Sequence, residues 1–276
     1  MAEVFSVGAL FIYPIKSLAG IKVNTADAGI SGFQYDRQWM LTDREGCYLT
    51  QKDIPAMALV KTSMGDDGIL VNAPVLNRQN LIIPFDGSCG DTVRVKIFQD
   101  ELEACRVDKM ADEWFSDTLG MSCQLVTMGH SQRIVNKKYA VNNDTVGFAN
   151  SFPYLVVSQA SLDELNERLT QKITIERFRP NIVLNGGTPY FEDTIDEFST
   201  GNARFKCSKP CARCRIINID QETALIDSEP LDVLTKYRQQ ENDINFGYRS
   251  LCLAEGPVEV GDQVEIIKTK SAVKKS

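Results

Sequence analysis

The 276-residue sequence holds one histidine, His130, and two tryptophans. A single imidazole removes catalytic schemes that need a second one and most zinc-hydrolase sites, whose ligand sets lean on several histidines. No stretch approaches the roughly 20 consecutive apolar residues of a membrane helix, and the N-terminus lacks the charged start and apolar run of a signal peptide. No membrane partner and a cytoplasmic setting are therefore expected. A basic excess is also missing: 30 Lys and Arg stand against 37 Asp and Glu, a net charge of −7. With no basic stripe to offset that balance, the chain is not expected to bind a nucleic-acid polymer, although local cationic sites remain open. Internal repeats and long linkers are lacking too. The length exceeds the usual single-domain size, so two intimate domains or one elaborated domain both fit, either with a sizeable core.

What is present in quantity is cysteine. Five of the eight, Cys47, Cys89, Cys105, Cys123 and Cys252, are scattered, and three bunch at Cys207, Cys211 and Cys214. A cytosolic setting disfavours disulfides, so most of the cysteines are expected to be small buried hydrophobes. Only the bunch asks for chemistry. Zinc would need a fourth ligand as distant as Cys252, the spacing misses the ferredoxin patterns, and a thioredoxin-like pair lacks its βαβ surroundings. Purely structural cysteines remain an alternative.

Along the chain, residues 4–13 alternate as a strand that Pro14 stops, leaving Lys16-Ser17 at its end. Residues 32–43 read as a second strand, with a hairpin turn at Asp43-Arg44-Glu45-Gly46 and a return over 48–50. Short β-like runs at 57–64, 68–71, 80–84 and 92–98, separated by polar turns, indicate a sheet or barrel-like unit. The period then changes: Met110, Trp114, Phe115 and Leu119 fall at helical spacing over 109–119, with Gly120 as the stop. Residues 123–128 return to β-structure, and 130–143 is a polar loop containing His130. In the second half, strand 154–157 runs into a helix capped near Ser158, with Leu162, Leu165 and Leu169 on one face. Strands follow at 182–184, 205–208 and 215–219, with Cys211 and Cys214 in the loop between the last two. A short helix covers 231–237, a strand closes the chain at 261–267, and the Lys-rich end, 269–276, reads as a disordered tail.

Two stretches stand out from this scaffold, Phe178-Arg179-Pro180-Asn181 and Lys209-Pro210-Cys211-Ala212-Arg213-Cys214. Arg179 and Arg213 suit a doubly charged phosphate, because guanidinium forks match its oxygens in a bidentate way. Thiols flanked by Lys209 and Arg213 sit where positive charge favours the thiolate, the nucleophilic and metal-binding form. A thiolate beside phosphate-binding arginines suggests a metal carried by a phosphorylated organic cofactor. Arg37 by itself reads as half of a structural ion pair.

Tyr13-Pro14-Ile15-Lys16-Ser17, Asp36-Arg37-Gln38-Trp39, Ser158-Gln159-Ala160-Ser161-Leu162, Phe178-Arg179-Pro180-Asn181, Pro210-Cys211-Ala212-Arg213-Cys214 and Val260-Gly261-Asp262 occur in the order seen in MOSC proteins. The chain resembles the branch containing the mitochondrial amidoxime reducing component and its bacterial relatives, to about residue 268. The resemblance implies a mixed α+β, mostly β fold: an N-terminal β-barrel domain over 1–120 packed on a MOSC β-barrel domain over 121–268, with peripheral helices. It implies a molybdenum–molybdopterin cofactor between the two, with Cys214 as the metal ligand and catalytic centre and Cys211 as a neighbour without a metal bond. Lys16, Ser17, Arg37, Arg179, Asn181 and Arg213 fall on positions that hold the pterin and its phosphate. Asn150, Ser151 and Arg249 join them. Ala212 stands where the family commonly has serine, leaving only its backbone N–H to donate. The implied activity is reduction of small N-hydroxylated compounds such as hydroxylamines, amidoximes and N-hydroxylated base analogues. The ferredoxin domain of some bacterial relatives is missing, so electrons would come from a separate protein of ferredoxin or flavoprotein type. The alternative is a non-catalytic molybdopterin binder or sulfur carrier acting through Cys214. At superfamily level the likeness also carries pyridoxal phosphate binding.

Overall fold

The computed structural model describes residues 4–76, 78–86 and 89–270. Its centre is a closed ring of seven strands. In spatial order these are Tyr154–Ser158, Ile182–Asn185, Phe5–Ile12, Gln263–Thr269, Ile195–Thr200, Ala203–Ala212 and Asp243–Ala254, the last pairing back to the first. All neighbours are antiparallel except Tyr154–Ser158 and Ile182–Asn185, which lie parallel and need a crossover. The first strand of the chain, which also pairs with Ile21–Val23, thus sits inside a ring otherwise built from residues 154–269, so the strand pairing crosses the midpoint of the sequence.

In Phe5–Ile12 the residues that alternate along the strand are apolar on both faces. Val7, Leu10 and Ile12 join the barrel core with Phe198 and Phe205, whereas Ala9 and Phe11 pack outward with Leu162, Leu165 and Leu234. Both faces are covered, so both are apolar.

The first half adds a four-stranded sheet, Trp39–Thr42, Gln124–Thr127, Asp100–Arg106 and Thr92–Ile97, and a meander of Lys61–Met64, Gly68–Ala73 and Arg78–Pro84. Helix α1, Lys109–Leu119, packs on these with Phe115 fully buried. Its start is fixed by Asp108, whose carboxylate accepts from the Ala111 amide at 2.6 Å, and its end by Gly120 at φ 67°. Both are expected terminators, and replacing the Asp108 cap by alanine costs about 1 kcal/mol. Helices α2, Gln159–Asn166, and α3, Glu229–Arg238, lie on the barrel's outer face. The fold is mostly β with peripheral helices, as the resemblance implies.

Several local expectations are corrected. The strand expected over 32–43 is broken: Gly32–Phe33 and Trp39–Thr42 are separated by a turn in which Tyr35 and Arg37 have φ of 66° and 49°. The turn folds onto the end of the first strand, where Asp36 Oδ1 accepts from the Tyr13 amide at 2.8 Å and the Arg37 amide donates to the Tyr13 carbonyl at 2.9 Å. Residues 57–59 belong to a 3-10 turn, Pro55–Leu59, because Pro55 favours a helical start. Cys211 is on a strand, since Ala203–Ala212 runs through it, and residues 215–218 form a 3-10 turn in place of a strand. The tail boundary moves as well. The last strand includes Thr269, and the ammonium of Lys270 lies 3.5 Å from the Tyr248 ring centroid; residues 271–276 lie outside the described residues. Finally, Cys89 and Cys105 are joined in a disulfide, so these two are not the separate small hydrophobes expected from the sequence.

Candidate functional site

One cleft gathers the chemistry. Lys16, Ser17, Arg37, Asn150, Ser151, Arg179, Asn181, Ala212, Arg213, Cys214 and Arg249 all line it, with Cys211 among them, around a space of about 810 Å³ open to solvent. Three of these residues, Ser17, Arg37 and Arg179, have left-handed φ of 67°, 49° and 55°. Non-glycine residues in this region each cost of order 1–3 kcal/mol and persist where surrounding contacts enforce them. The cleft thus concentrates backbone strain at three of its polar lining residues.

The cation on the first wall is internally satisfied. Arg37 Nη1 donates to Asp36 Oδ2 at 2.6 Å and to Asn181 Oδ1 at 2.9 Å, and Nη2 donates to the Arg179 carbonyl at 3.1 Å. Burial raises the Asp36 carboxyl, partly offset by Arg37. Asn181 is spent as well, since its Oδ1 also takes the Leu155 amide at 3.2 Å and its Nδ2 donates to the Phe11 carbonyl at 3.2 Å.

The opposite wall is not satisfied. Arg179 caps the 3-10 turn Ile175–Phe178, and its Nη1 and Nη2 are buried without a hydrogen-bond partner. Arg213 donates through Nη2 to the Phe178 carbonyl at 2.8 Å and through Nη1 to Cys211 Sγ at 3.1 Å, but its buried Nε is unpaired. Burial brings the Arg179 guanidinium down to about 10, which leaves it charged at neutral pH. Tyr13 joins the walls: its ring centroid lies 4.2 Å from the Arg37 guanidinium carbon and 4.3 Å from that of Arg179. Among the described residues, the cleft lining has five cationic side chains and no carboxylate. Unpaired buried donors in a cationic cleft call for an anion with several oxygens.

The floor is Lys16. Its ammonium donates to the Phe148 carbonyl at 2.8 Å and to Asn150 Oδ1 at 3.2 Å. Burial, then the charges of Arg133, Arg37 and Arg179, holds it well below the usual lysine value. Arg249 reaches Ser151 Oγ at 3.2 Å.

The two thiols differ. Cys214 is exposed at the start of the 3-10 turn Arg215–Asn218, and Cys211 is buried at the end of its strand. Burial alone would raise the Cys211 thiol, but the charges of Arg213 and Arg249 and hydrogen bonds from both bring it below the ordinary thiol value. Cys207 and Cys252 belong to the barrel core, and among the described residues no three Cys, His, Asp or Glu converge to hold a metal. The four-cysteine zinc arrangement is therefore not formed. A thiophilic metal at Cys214 would have to bring other donors of its own, as a metal with a sulfur-bearing organic ligand does.

Sequence reasoning missed Arg133. It is buried and donates to the carbonyls of Gly147 and Ala149, both at 2.7 Å, and to that of Asn150 at 3.2 Å, so it shapes the loop presenting Asn150 and Ser151. Its position in a polar stretch gave no sign of burial.

With the geometry in hand, comparison with known proteins is informative. The MOSC N-terminal beta barrel domain profile matches residues 4–122 and the MOSC domain profile residues 143–265. A mouse protein named mitochondrial amidoxime-reducing component 1 is 30% identical, the match covering 97% of this chain and 84% of the relative. The chain belongs to the MOSC family. Within that family, bovine mitochondrial amidoxime reducing component 2 is also 30% identical, over 96% of this MOSC chain and 84% of its own. A rice protein named molybdenum cofactor sulfurase is 30% identical over 87% of this chain, which spans only 31% of that longer relative.

Proposed function

We propose that this MOSC protein is a molybdenum-cofactor-dependent reductase of small N-hydroxylated compounds, supplied with electrons by a separate ferredoxin- or flavoprotein-type partner. The observation that carries the reading is the set of buried, unpaired guanidinium nitrogens on Arg179 and Arg213 in the cleft that exposes Cys214. The near full-length likeness to proteins named amidoxime-reducing components supports it.

In this reading Arg179 and Arg213 hold the phosphate of molybdopterin, offering charge-assisted donors that no protein group uses. Arg37 and Asn181 act one step back: their polar atoms are committed to one another and to backbone, so they hold the Arg179 turn. Lys16, Ser17, Asn150, Ser151, the Ala212 amide and Arg249 face the pterin. Cys214 gives a soft donor to the metal, and Cys211 keeps Arg213 and Arg249 in place without donating to it. The bound cofactor supplies two-electron cleavage of an N–O bond, with two protons and release of water.

The sulfurase relative favours a second reading, in which the chain binds molybdopterin or carries sulfur on Cys214 without reducing a substrate. One preparation separates the two. The reductase should contain molybdenum and pterin near one per chain and convert benzamidoxime to benzamidine with reduced methyl viologen. It should show no iron–sulfur absorption and no turnover with NADH alone. A persulfide on Cys214 by mass spectrometry, without stoichiometric molybdenum and without turnover, would favour the carrier.

A further inference from the structure

Beside the cleft stands a feature that the cofactor assignment does not use. The strands Thr92–Ile97 and Asp100–Arg106 form a hairpin whose turn carries Phe98 at φ 56°. A bulky aromatic in the left-handed region is a backbone outlier, because the position suits glycine or asparagine. Its ring gains little burial in return, as Phe98 is 48% exposed. It is not itself part of the apolar cluster in which Val95, Ile97 and Ala104 of the same hairpin are packed, and meets that cluster only at its edge, through Tyr48. An exposed phenylalanine on strained backbone is poorly explained by stability.

Its surroundings point to a ligand. The Phe98 ring lies 4.9 Å from that of the half-buried Tyr48, and the two planes are tilted by 47°. The Lys16 ammonium sits 5.1 Å from the Phe98 centroid and 5.5 Å from that of Tyr48. Lys16 lines the cleft and neither ring does, so the aromatic pair stands just beyond the lining, joined to it through the Lys16 ammonium. We propose that Phe98 and Tyr48 form the wall that binds the flat ring of the substrate, making Phe98 a specificity-determining residue for planar aromatic over small aliphatic N-hydroxylated compounds. The inference rests on the reductase reading for its choice of substrate. A flat ring laid on Phe98 covers the exposed apolar face, and the strained turn keeps that face turned outward before the substrate arrives. The wall tolerates different ring substituents, because stacking reads a π-face.

Phe98→Gly is the decisive variant, because glycine relaxes the left-handed turn while deleting the ring. Its thermal midpoint should be unchanged or higher, and its molybdenum and pterin content unchanged. The KM for benzamidoxime should rise about tenfold with kcat within about twofold, as loss of one stacked ring implies. The KM for hydroxylamine should stay within about twofold. Equal KM changes for both substrates would overturn the proposal, as would lowered pterin content, which would put the ring against the cofactor. A lowered midpoint together with unaltered kinetics would also overturn it and make Phe98 a packing residue. Calorimetric binding of benzamidine keeps this separate from the reductase reading. If the protein reduces neither substrate, wild type should still bind benzamidine about tenfold more tightly than Phe98→Gly; equal binding, or none to either protein, would refute the wall.

Discussion

The two arginines that flank Tyr13 make nearly the same contact with its ring, yet they are in opposite states. Arg37, from the first half of the chain, has its terminal nitrogens bonded to Asp36, Asn181 and the Arg179 carbonyl, whereas the terminal nitrogens of Arg179 are buried and unpaired. The difference teaches that a cationic cleft is made of two kinds of positive charge. One is already neutralised by the fold and works as framework; the other is left open at the expense of stability and is available to a ligand.

The largest expected effect breaks a parallel contrast, that between the two thiols. Cys214→Ser replaces a soft donor with a hydroxyl that is hardly ionised at neutral pH, and nearly all turnover should disappear while pterin is retained through its phosphate contacts. Cys211→Ser should keep most of the activity. A dead Cys211→Ser beside an active Cys214→Ser would reverse the ligand assignment.

Next in size are the two arginines themselves. Arg37→Ala strips the partner from buried Asp36 and should lower unfolding free energy by about 3–5 kcal/mol in urea titrations. Arg179→Ala removes a side chain whose terminal nitrogens have no protein partner, so its stability loss should be much smaller. Its pterin content after purification should nevertheless fall about tenfold or more. Equal destabilisation of the two variants, with pterin retained in Arg179→Ala, would erase the distinction between framework and ligand-binding charge.

The smallest effect sharpens the role of Cys211. Because its thiol is held below the ordinary value in the folded protein, the folded state binds fewer protons than the unfolded chain between the two values. The resulting stabilisation is fully present above the unfolded thiol's value of about 8.5 and is lost as pH falls through the folded value. The stability advantage of wild type over Cys211→Ser should therefore grow as pH is raised toward 9. A pH-independent difference would mean that the two arginines do not stabilise a thiolate there.

Much of this arrangement was legible in the sequence. Helix α1 announced itself through Trp114 and Phe115 at helical spacing with Gly120 behind them, because a half-buried helix carries a periodic apolar face. Met110, placed on that face by the same spacing, is exposed. Within the cleft, Arg179, Arg213 and the paired thiols were legible from their own chemistry, whereas Arg37, Asn181, Asn150, Ser151, Ala212 and Arg249 were assigned through the MOSC resemblance. Other parts were hidden. The turn at 34–38 looks like strand because it lies between Phe33, Tyr35 and Trp39, aromatic residues that favour strands, and long-range contacts with Tyr13, Phe85 and Phe148 hold Tyr35 and Arg37 in the left-handed region. The strand Asp243–Ala254 gave no alternation to read, since it is buried on most of its length and is interrupted by Gly247 at φ 76°. The ion pair of Arg37 was legible, since its partner Asp36 is the adjacent residue, but Asn181, which completes the arrangement, is 144 positions away and was not.

The ring of strands has a consequence for how the molecule comes into being. Phe5 and Ser6 pair with Val264 and Gln263, and Ala9 and Leu10 with Val183 and Ile182. On a ribosome the Leu10–Ile12 end of the first strand can pair early with Ile21–Val23, but its other edge waits for Ile182–Asn185 and its Phe5–Ser6 end for Gln263–Thr269, which closes a loop of more than 250 residues. The cleft, which borrows Lys16 and Arg37 from the early chain and Arg179 and Cys214 from the late chain, is among the last features completed. The nascent chain should thus depend on protection from aggregation until the strand Gln263–Thr269 has emerged, and the site should become competent for its ligand only after its late strands have paired.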